Sequence, residues 1–513
     1  MPYYLGIDVG TTGCKVVLIN ESGRVVSKDV IEYPLYTPKP GWSEQDPRDW
    51  WRACTKAVKN TVSKARVSKD DIEGIGLTGQ MHGLVVIDRE GQVIRPAILW
   101  NDQRTAKEAL LINKRVGVEE LIKLTGNIVH TGFTAPKILW LRSREPKNYK
   151  RASKLMLPKD YVGFMMTGDV VTDVNDASGT SLFNVRRRAW CQEILDVLDI
   201  PYEILPEVKE SPEVRGELRS GVAEELGLKA HIPVVAGAGD QGAAGVGAGI
   251  VEEGIISVNI GTSGVVFTNS DEFRYDPEGR LHAFCHAVPG KWHLMGVMLS
   301  AGGSLKWFRD NLGHLEKVTA ELVGTDPYDL LIKEAEKVPP GSEGLIFLPY
   351  LAGERTPYAD PYARGVFFGL SLKHSKGHLI RAILEGVAFG LRDSFELMKD
   401  LGITAEQVRI LGGGSRSRVW RQIVADVFGT EVVTMVVDEG SSYGAAILAA
   451  VGAGGFKKVE DAVSTAVRVN EEEKIAPNKN NHYIYNKYYE IYRNIYLRLK
   501  NEFRSIASIV EST

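Results

Sequence analysis

The chain has 513 residues, 44% of them apolar and 25% charged, which is ordinary for a globular protein and long enough for two hydrophobic interiors. Its 62 basic and 65 acidic residues leave a net charge of −3, giving no electrostatic reason to expect nucleic acid or an anionic membrane as partner. No apolar run is long enough to cross a bilayer, Met1-Pro2-Tyr3-Tyr4 lacks a basic leader, and Cys14, Cys54, Cys191 and Cys285 are too scattered for zinc or a disulfide framework, so a cytoplasmic enzyme is expected.

The first segment predicts a β-hairpin. Tyr3-Tyr4-Leu5-Gly6-Ile7 leads into Asp8-Val9-Gly10-Thr11-Thr12-Gly13, then Lys15-Val16-Val17-Leu18-Ile19. Glycines permit a tight turn whose N–H groups approach an anion, and the threonines add donors. Another strand is expected around Arg24-Val25-Val26, then a helix over 49–64 with Trp50, Ala53, Ala57 and Val58 facing inward. A strand over 72–77 runs into Gln80-Met81-His82-Gly83, and Trp100-Asn101-Asp102-Gln103-Arg104 also follows a strand end. Both segments suit a substrate with several hydroxyls, Trp100 offering an apolar wall. The strand 234–236 ends at Gly237-Ala238-Gly239-Asp240-Gln241. The opening pattern restarts near Glu252-Glu253-Gly254, which divides the chain into domains of residues 1–253 and 254–513.

The second half repeats the theme. Ile255-Ile256-Ser257-Val258 leads into Asn259-Ile260-Gly261-Thr262-Ser263-Gly264, then Val265-Val266-Phe267. Two such hairpins predict a duplicated α/β fold that holds a triphosphate between its halves. Thr11, Thr12 and Gly13 would contact it from one side, and Gly261, Thr262 and Ser263 from the other. Asp8 would orient Mg²⁺ through water and Lys15 would offset phosphate charge. Alternation through 281–288 puts His282 and His286 on one strand face without a third ligand, so these and Cys285 are not expected to bind metal. A buried helix is expected over 385–399. The strand 408–411 opens into Gly412-Gly413-Gly414-Ser415, where backbone can approach a flat adenosine closely, and a helix follows from about Val419. Gly440-Ser441-Ser442-Tyr443-Gly444-Ala445-Ala446 would close the other side of the adenosine, or else only pack a helix. The tyrosine-rich tail from Tyr483 to Tyr496, with Ile491, Ile495 and Leu499 at helical spacing, reads as a terminal packing helix.

Asp240 is the candidate general base. Residues 237–242 satisfy the dinucleotide fingerprint Gly-x-Gly-x-x-Gly, but a carboxylate there would repel pyrophosphate, and Glu252 and Glu253 come too early for the acidic partner of that fingerprint. A carboxylate at the mouth of a strand suits proton removal from a substrate hydroxyl. The plain structural alternative is a helix N-cap.

Two longer stretches complete the pattern: Gly132-Phe133-Thr134-Ala135-Pro136-Lys137-Ile138-Leu139-Trp140-Leu141, and Gly365-Val366-Phe367-Phe368-Gly369-Leu370 continuing to His378-Leu379 and Ala382-Ile383-Leu384-Glu385. With the two loops, they make the chain resemble the FGGY family of carbohydrate kinases from Tyr4 to about Gly455. The resemblance implies an α/β fold of two duplicated actin/hexokinase-type (ribonuclease H-like) ATPase domains flanking a central cleft, using ATP and Mg²⁺ and often forming homodimers. Gly79-Gln80-Met81-His82-Gly83, Gly353-Glu354-Arg355-Thr356-Pro357 and His286-Ala287-Val288-Pro289-Gly290 are similar to family members that phosphorylate D-xylulose. By that resemblance Met81 and His82 contact the sugar, Asp240 is the base and Gln241 binds a substrate hydroxyl. Similarity to glycerol-phosphorylating members adds Gly302 as a nucleotide contact and supports Gly413 and Gly414 at adenosine. The implied reaction is phosphorylation of D-xylulose at O5, with ribulose, L-xylulose, gluconate and erythritol as alternative acceptors because a few hydroxyl contacts decide among them.

Overall fold

The computed structural model describes residues 1–512. Packing divides them into two compact units interleaved in sequence. The first takes Met1–Glu252, Asn269–His293 and Val437–Arg468; the second takes Glu253–Thr268, Leu294–Val436 and the chain from Val469 onward. The chain thus returns to the first unit twice beyond residue 254.

The first unit is built on a sheet whose neighbouring strands are Val214–Glu217, Pro233–Val235, Ile72–Gly79, Tyr3–Val9, Gly13–Asn20 and Val25–Glu32. Tyr3–Val9 pairs antiparallel with Gly13–Asn20, setting Asp8 opposite Lys15, and parallel with Ile72–Gly79, setting Asp8 beside Thr78. The inner strands are buried almost throughout, whereas Val25–Glu32 alternates half-buried and exposed residues as an edge strand does. One face is covered by the helix Pro47–Ala65, which Asp46 caps by accepting the Arg48 N–H and which Pro47 starts with the correct φ. It buries Trp50, Ala53, Ala57 and Val58, the inward side expected, in one cluster with Leu5, Val16 and Leu18. The helix Ser441–Gly452 also packs on this sheet. A Cβ on Gly6 or Gly76 would collide with the Ser442 or Ala445 carbonyl, so strand glycines let this helix lie directly on the sheet backbone. That contact explains why residues near 441 belong to the first unit.

The second unit repeats the plan. Its central strands run Trp292–Met298, Gly264–Ser270, Gly254–Ile260, Ala405–Leu411, Glu431–Met435 and Val469–Ile475. Each sheet thus has an antiparallel hairpin, two strands added in parallel and an antiparallel edge strand. The helix Lys376–Asp400 begins nine residues earlier than expected at 385 and buries Ile380, Ile383, Val387 and Phe389. The terminal helix Lys479–Ser512 does pack: Tyr485, Tyr489, Tyr492 and Tyr496 are buried. Tyr489 donates to Asp393 at 2.7 Å and Tyr496 to Asp360 at 2.9 Å, so each phenol keeps a partner as its ring leaves water.

Candidate active site

Parallel pairing delivers the polar residues of the first unit to one edge. Tyr3–Val9, Ile72–Gly79 and the short strand Ala238–Gly239 run side by side and end together, with Val9 and Gly239 both paired to Gly79. Their continuations are Gly10–Gly13, Gln80–His82 and Asp240–Gln241. In open sheets this carboxyl edge is where ligands bind.

Asp240 opens the helix Asp240–Gly247 and is not its N-cap; that position is Gly239. The Asp240 carboxyl is recessed, with part of the residue still accessible. Burial, then the Asp8 charge, pushes its pKa up to about 7, while the Gln241 N–H and side chain hold it back. Gln241 thus faces Asp240 directly. Asp8 lies on Tyr3–Val9, separated from the Ala238–Gly239 strand by Ile72–Gly79. Its Oδ2 accepts from Ser441 Oγ at 2.6 Å and its Oδ1 is buried without a hydrogen-bond partner. Burial raises the Asp8 pKa although Ser441 and Lys15 lower it.

The Gly10–Gly13 turn is braced from beneath. Gly10 N donates to Gly13 O at 3.1 Å, and Tyr33 N donates to Thr12 O at 3.3 Å. Gln45 Nε2 donates to Thr11 O at 2.7 Å, and Trp100 Nε1 donates to Thr11 Oγ1 at 3.0 Å. Gln80, expected to meet substrate, is 2% exposed and instead donates to Gly10 O at 3.3 Å and Gln45 Oε1 at 2.9 Å. Trp100 remains 43% exposed, so its ring can serve as a wall while its N–H orients the turn.

Asp102 is committed elsewhere. It is fully buried, accepts from Ser43 N at 2.6 Å and pairs with Arg104 at 2.7 Å; this self-clamped turn positions Trp100 and leaves no carboxylate for a sugar. Lys15 pairs with Glu439 at 2.8 Å and donates to the Glu439 carbonyl, which ties its ammonium to the start of the 441–452 helix.

Met81 is buried against Gly239, where a Cβ would sit 2.7 Å from Met81 Cγ. His82 adopts φ +67°, stacks on Phe133 at 4.4 Å and places Nδ1 2.7 Å from the Gly179 carbonyl. Because a carbonyl only accepts, that contact selects the Nδ1–H tautomer. Thr134 and Lys137 donate to the His82 carbonyl at 3.1 and 2.6 Å, so the segment 132–141 acts as the support for this turn. Deeper, Lys159 pairs with Asp173 at 2.7 Å and Asp160 at 2.5 Å with no exposure of any of the three. Sequence reasoning missed Gln45, Phe133 as a stacking partner and this buried network. The capped stretch Ser43-Glu44-Gln45-Asp46-Pro47 was the one signal that could have drawn attention to Gln45.

In the second unit, Gly261 N donates to Ser263 O at 3.0 Å, closing a turn one residue tighter than Gly10 to Gly13. Gly302 N donates to Gly261 O at 2.8 Å, and Ala301 N and Gly303 N both donate to Thr262 O at 3.0 Å. A Cβ on Gly302 would lie 2.5 Å from Gly261 O, so only glycine allows this approach. A cavity of 590 Å³ is lined by Gly261, Thr262, Gly302, Gly413, Gly414 and Trp420, among others, within the range of small-ligand sites. Gly413 faces open space: a Cβ there would meet nothing within 4 Å. Ser263 shares the turn but does not line the cavity, and neither does any residue of 440–446. That segment is the helix start that supplies Ser441 to Asp8 and packs on the first sheet.

Among the described residues no helix is long and apolar enough to cross a membrane, and no three His, Cys, Asp or Glu residues converge as a metal cluster. The FGGY family of carbohydrate kinases matches in both parts, its N-terminal domain over residues 3–247 and its C-terminal domain over 256–453. The xylulose kinase of Escherichia coli (strain K12) is 40% identical over 497 residues, covering 97% of this chain and 99% of that protein. The gluconokinase of Bacillus subtilis (strain 168) is 35% identical, covering 98% of each. The crystal structure of ligand-bound xylulose kinase from Lactobacillus acidophilus superposes with a TM-score of 0.91 at 28% identity, covering 99% of this chain and 100% of that one. The architecture is accordingly the duplicated actin/hexokinase-type ATPase fold. With both domains matched and relatives aligned end to end, the chain belongs to the FGGY family of carbohydrate kinases.

Proposed function

We propose that this kinase transfers the γ-phosphoryl group of ATP to the O5 hydroxyl of D-xylulose, giving D-xylulose 5-phosphate and ADP. The observation that carries the reaction type is Asp240, a recessed carboxylate at the carboxyl edge of the sheet with a pKa near 7. The acceptor is supported by relatives named xylulose kinase at 38–41% identity. Gluconate is the second reading, supported by the gluconokinase relative at 35%.

In this reading Asp240 removes the O5 proton as that oxygen attacks the γ-phosphorus. The new O–P bond forms as the bridging bond to ADP breaks. Met81, His82 and Gln241 bound the sugar, and Trp100 shields one side of it. Each turn by itself, Gly10–Gly13 with Thr11 and Thr12 and Gly261–Gly264 with Thr262 and Ser263, offers backbone N–H groups and hydroxyls suited to phosphate oxygens. The glycine-lined cavity takes the adenosine, against Gly413 and Gly414. Positioning and electrostatics of this kind are what phosphoryl transfer chiefly demands. The donor set at Asp8 fits Mg²⁺: Oδ1 is a buried, unpartnered carboxylate oxygen, and this ion takes one or two carboxylates with phosphates and water. Bound there, it would neutralise charge on the β- and γ-phosphates. ATP as donor and a phosphorylated sugar as product suit the cytoplasm.

The test is ADP release in a coupled assay over D-xylulose, L-xylulose, ribulose, gluconate, erythritol and glycerol. Turnover concentrated on D-xylulose is expected. Preference for gluconate would replace the acceptor and keep the base, and ADP release indifferent to every polyol would overturn the reading.

A further inference from the structure

The stretch Gly353-Glu354-Arg355-Thr356-Pro357 has no part in the chemistry above, yet it grips the strand that leads to the glycine-lined cavity. Thr356 N donates to Val297 O and Val297 N donates to Thr356 Oγ1, both at 3.1 Å. Leu299 N donates to Glu354 Oε1 at 3.0 Å, and Arg355 N donates to the same oxygen at 2.7 Å. The end of the strand Trp292–Met298 is thus held at alternate residues, Val297 by Thr356 and Leu299 by the Glu354 carboxyl.

Glu354 is itself fixed. Its backbone exchanges two bonds of 2.9 Å with Asp360, and Asp360 takes the Tyr496 hydroxyl of the terminal helix. The residue is 3% exposed, and its Oε2 is buried without a hydrogen-bond partner. Burial pushes the Glu354 pKa up to about 8, against the two N–H groups that hold it down. A buried oxygen without a partner costs stability, so it is the bonded oxygen that accounts for a carboxyl here.

Two residues beyond Leu299 the chain locks the second turn. The N–H groups at the start of a helix find no acceptor within it. Those of Ala301, Gly302 and Gly303, where the helix Gly302–Leu312 begins, go to the carbonyls of Thr262, Gly261 and Thr262. Turn and helix start are thereby one body, and Gly261, Thr262, Gly302 and Gly303 all line the 590 Å³ cavity. Glu354 does not line it; its route to the cavity runs through Leu299 and the backbone to Gly302.

We infer that Glu354 is a positioning residue for the nucleotide: by holding Leu299, its carboxyl oxygen sets the Gly261–Thr262 turn for the phosphates. The inference rests on the reading of the glycine-lined cavity as the nucleotide site. ADP with Mg²⁺ is titrated calorimetrically into the full-length protein without sugar, and D-xylulose is titrated separately. Glu354→Gln keeps an acceptor oxygen at the same reach and should bind ADP within about twofold of wild type. Glu354→Asp keeps the acid but is one methylene shorter, and should weaken ADP at least about fivefold, the worth of one buried hydrogen bond. Its KM for ATP should rise by a similar factor, with kcat and D-xylulose affinity within about twofold. Hydrogen exchange on the wild type needs no variant: ADP should slow the Leu299 amide about fivefold or more, along with those of Gly302 and Gly303. A merely structural Glu354 would lower the melting temperature of the Asp variant and leave its ADP affinity unchanged, which would overturn the proposal. So would a Gln variant as impaired as Asp, an equal loss of D-xylulose affinity, or protection confined to Gly302 and Gly303. A wild type that bound no ADP would overturn the nucleotide reading, and this proposal with it.

Discussion

The two units use one strand plan for two kinds of chemistry. In the first, the hairpin strand ends with Asp8 and its parallel neighbour ends with Gln80, Met81 and His82. In the second, the matching positions are Asn259 and the run Gly412–Gly414. Both turns are closed by a backbone bond from their first glycine, but to different positions: Gly10 to Gly13, three residues on, at 3.1 Å, and Gly261 to Ser263, two residues on, at 3.0 Å. What differs is what lies beside the turn. Carboxylates with raised pKa values crowd the first, whereas uncharged glycine backbone and open volume adjoin the second. A duplicated scaffold thus places recessed carboxylates at one copy of its edge and open volume at the other, through the residues that terminate equivalent strands.

The sharpest way to break this contrast is to remove the acid. Asp240→Asn should lower turnover by about 10²- to 10⁴-fold, the usual worth of a general base, with sugar affinity kept within a few-fold. Single-turnover kinetics and equilibrium sugar binding, measured together, check it; turnover near wild type would refute Asp240 as the base.

A pH profile sharpens the same point. Only ionised Asp240 accepts a proton, and burial together with Asp8 raises its pKa to about 7. The rate should therefore fall about tenfold per pH unit below that value. Asp8→Asn removes one of the raising causes, so whatever activity it retains should show its acid limb at lower pH; a limb that stays in place would separate the two carboxylates.

Carrying the acid across is the converse experiment. Asn259→Asp would put an anion beside the glycine turn, and the KM for ATP should rise about tenfold from charge repulsion, with D-xylulose binding unchanged. The smallest effect belongs to a brace. Trp100→Phe keeps the aromatic wall but loses the 3.0 Å bond to Thr11, and a two- to tenfold loss in kcat/KM is expected for one hydrogen bond.

Local pattern made the hairpins, the helix Pro47–Ala65 and the terminal helix legible. Apolar periodicity, Asp46-Pro47 at a helix start and glycine at turns act within a few residues. The strand ends that carry Asp8 and Asp240 follow from the same signals. Partners across the chain do not. Nothing near Lys15 announces Glu439, and nothing near Asp8 announces Ser441, 433 residues away. Asp102 reads as a free polar residue until Arg104 folds back on it and Ser43 meets it from 59 positions upstream. Gln80 reads as a ligand for sugar until Gln45 and Gly10 claim its amide. Residues that look available in sequence were reassigned wherever a distant segment satisfied them first.

The bond between Ser441 and Asp8 also sets a clock on synthesis. The strand glycines that receive the 441–452 helix, and the Asp8 carboxylate that Ser441 caps, leave the ribosome long before their partner. At about 5–20 residues per second, the intervening 433 positions take roughly 20–90 s to translate. Through that interval the nascent first unit carries an uncovered glycine-rich sheet face. A truncated first half should therefore behave as an unfinished domain that needs a chaperone, rather than as a small sugar-binding protein.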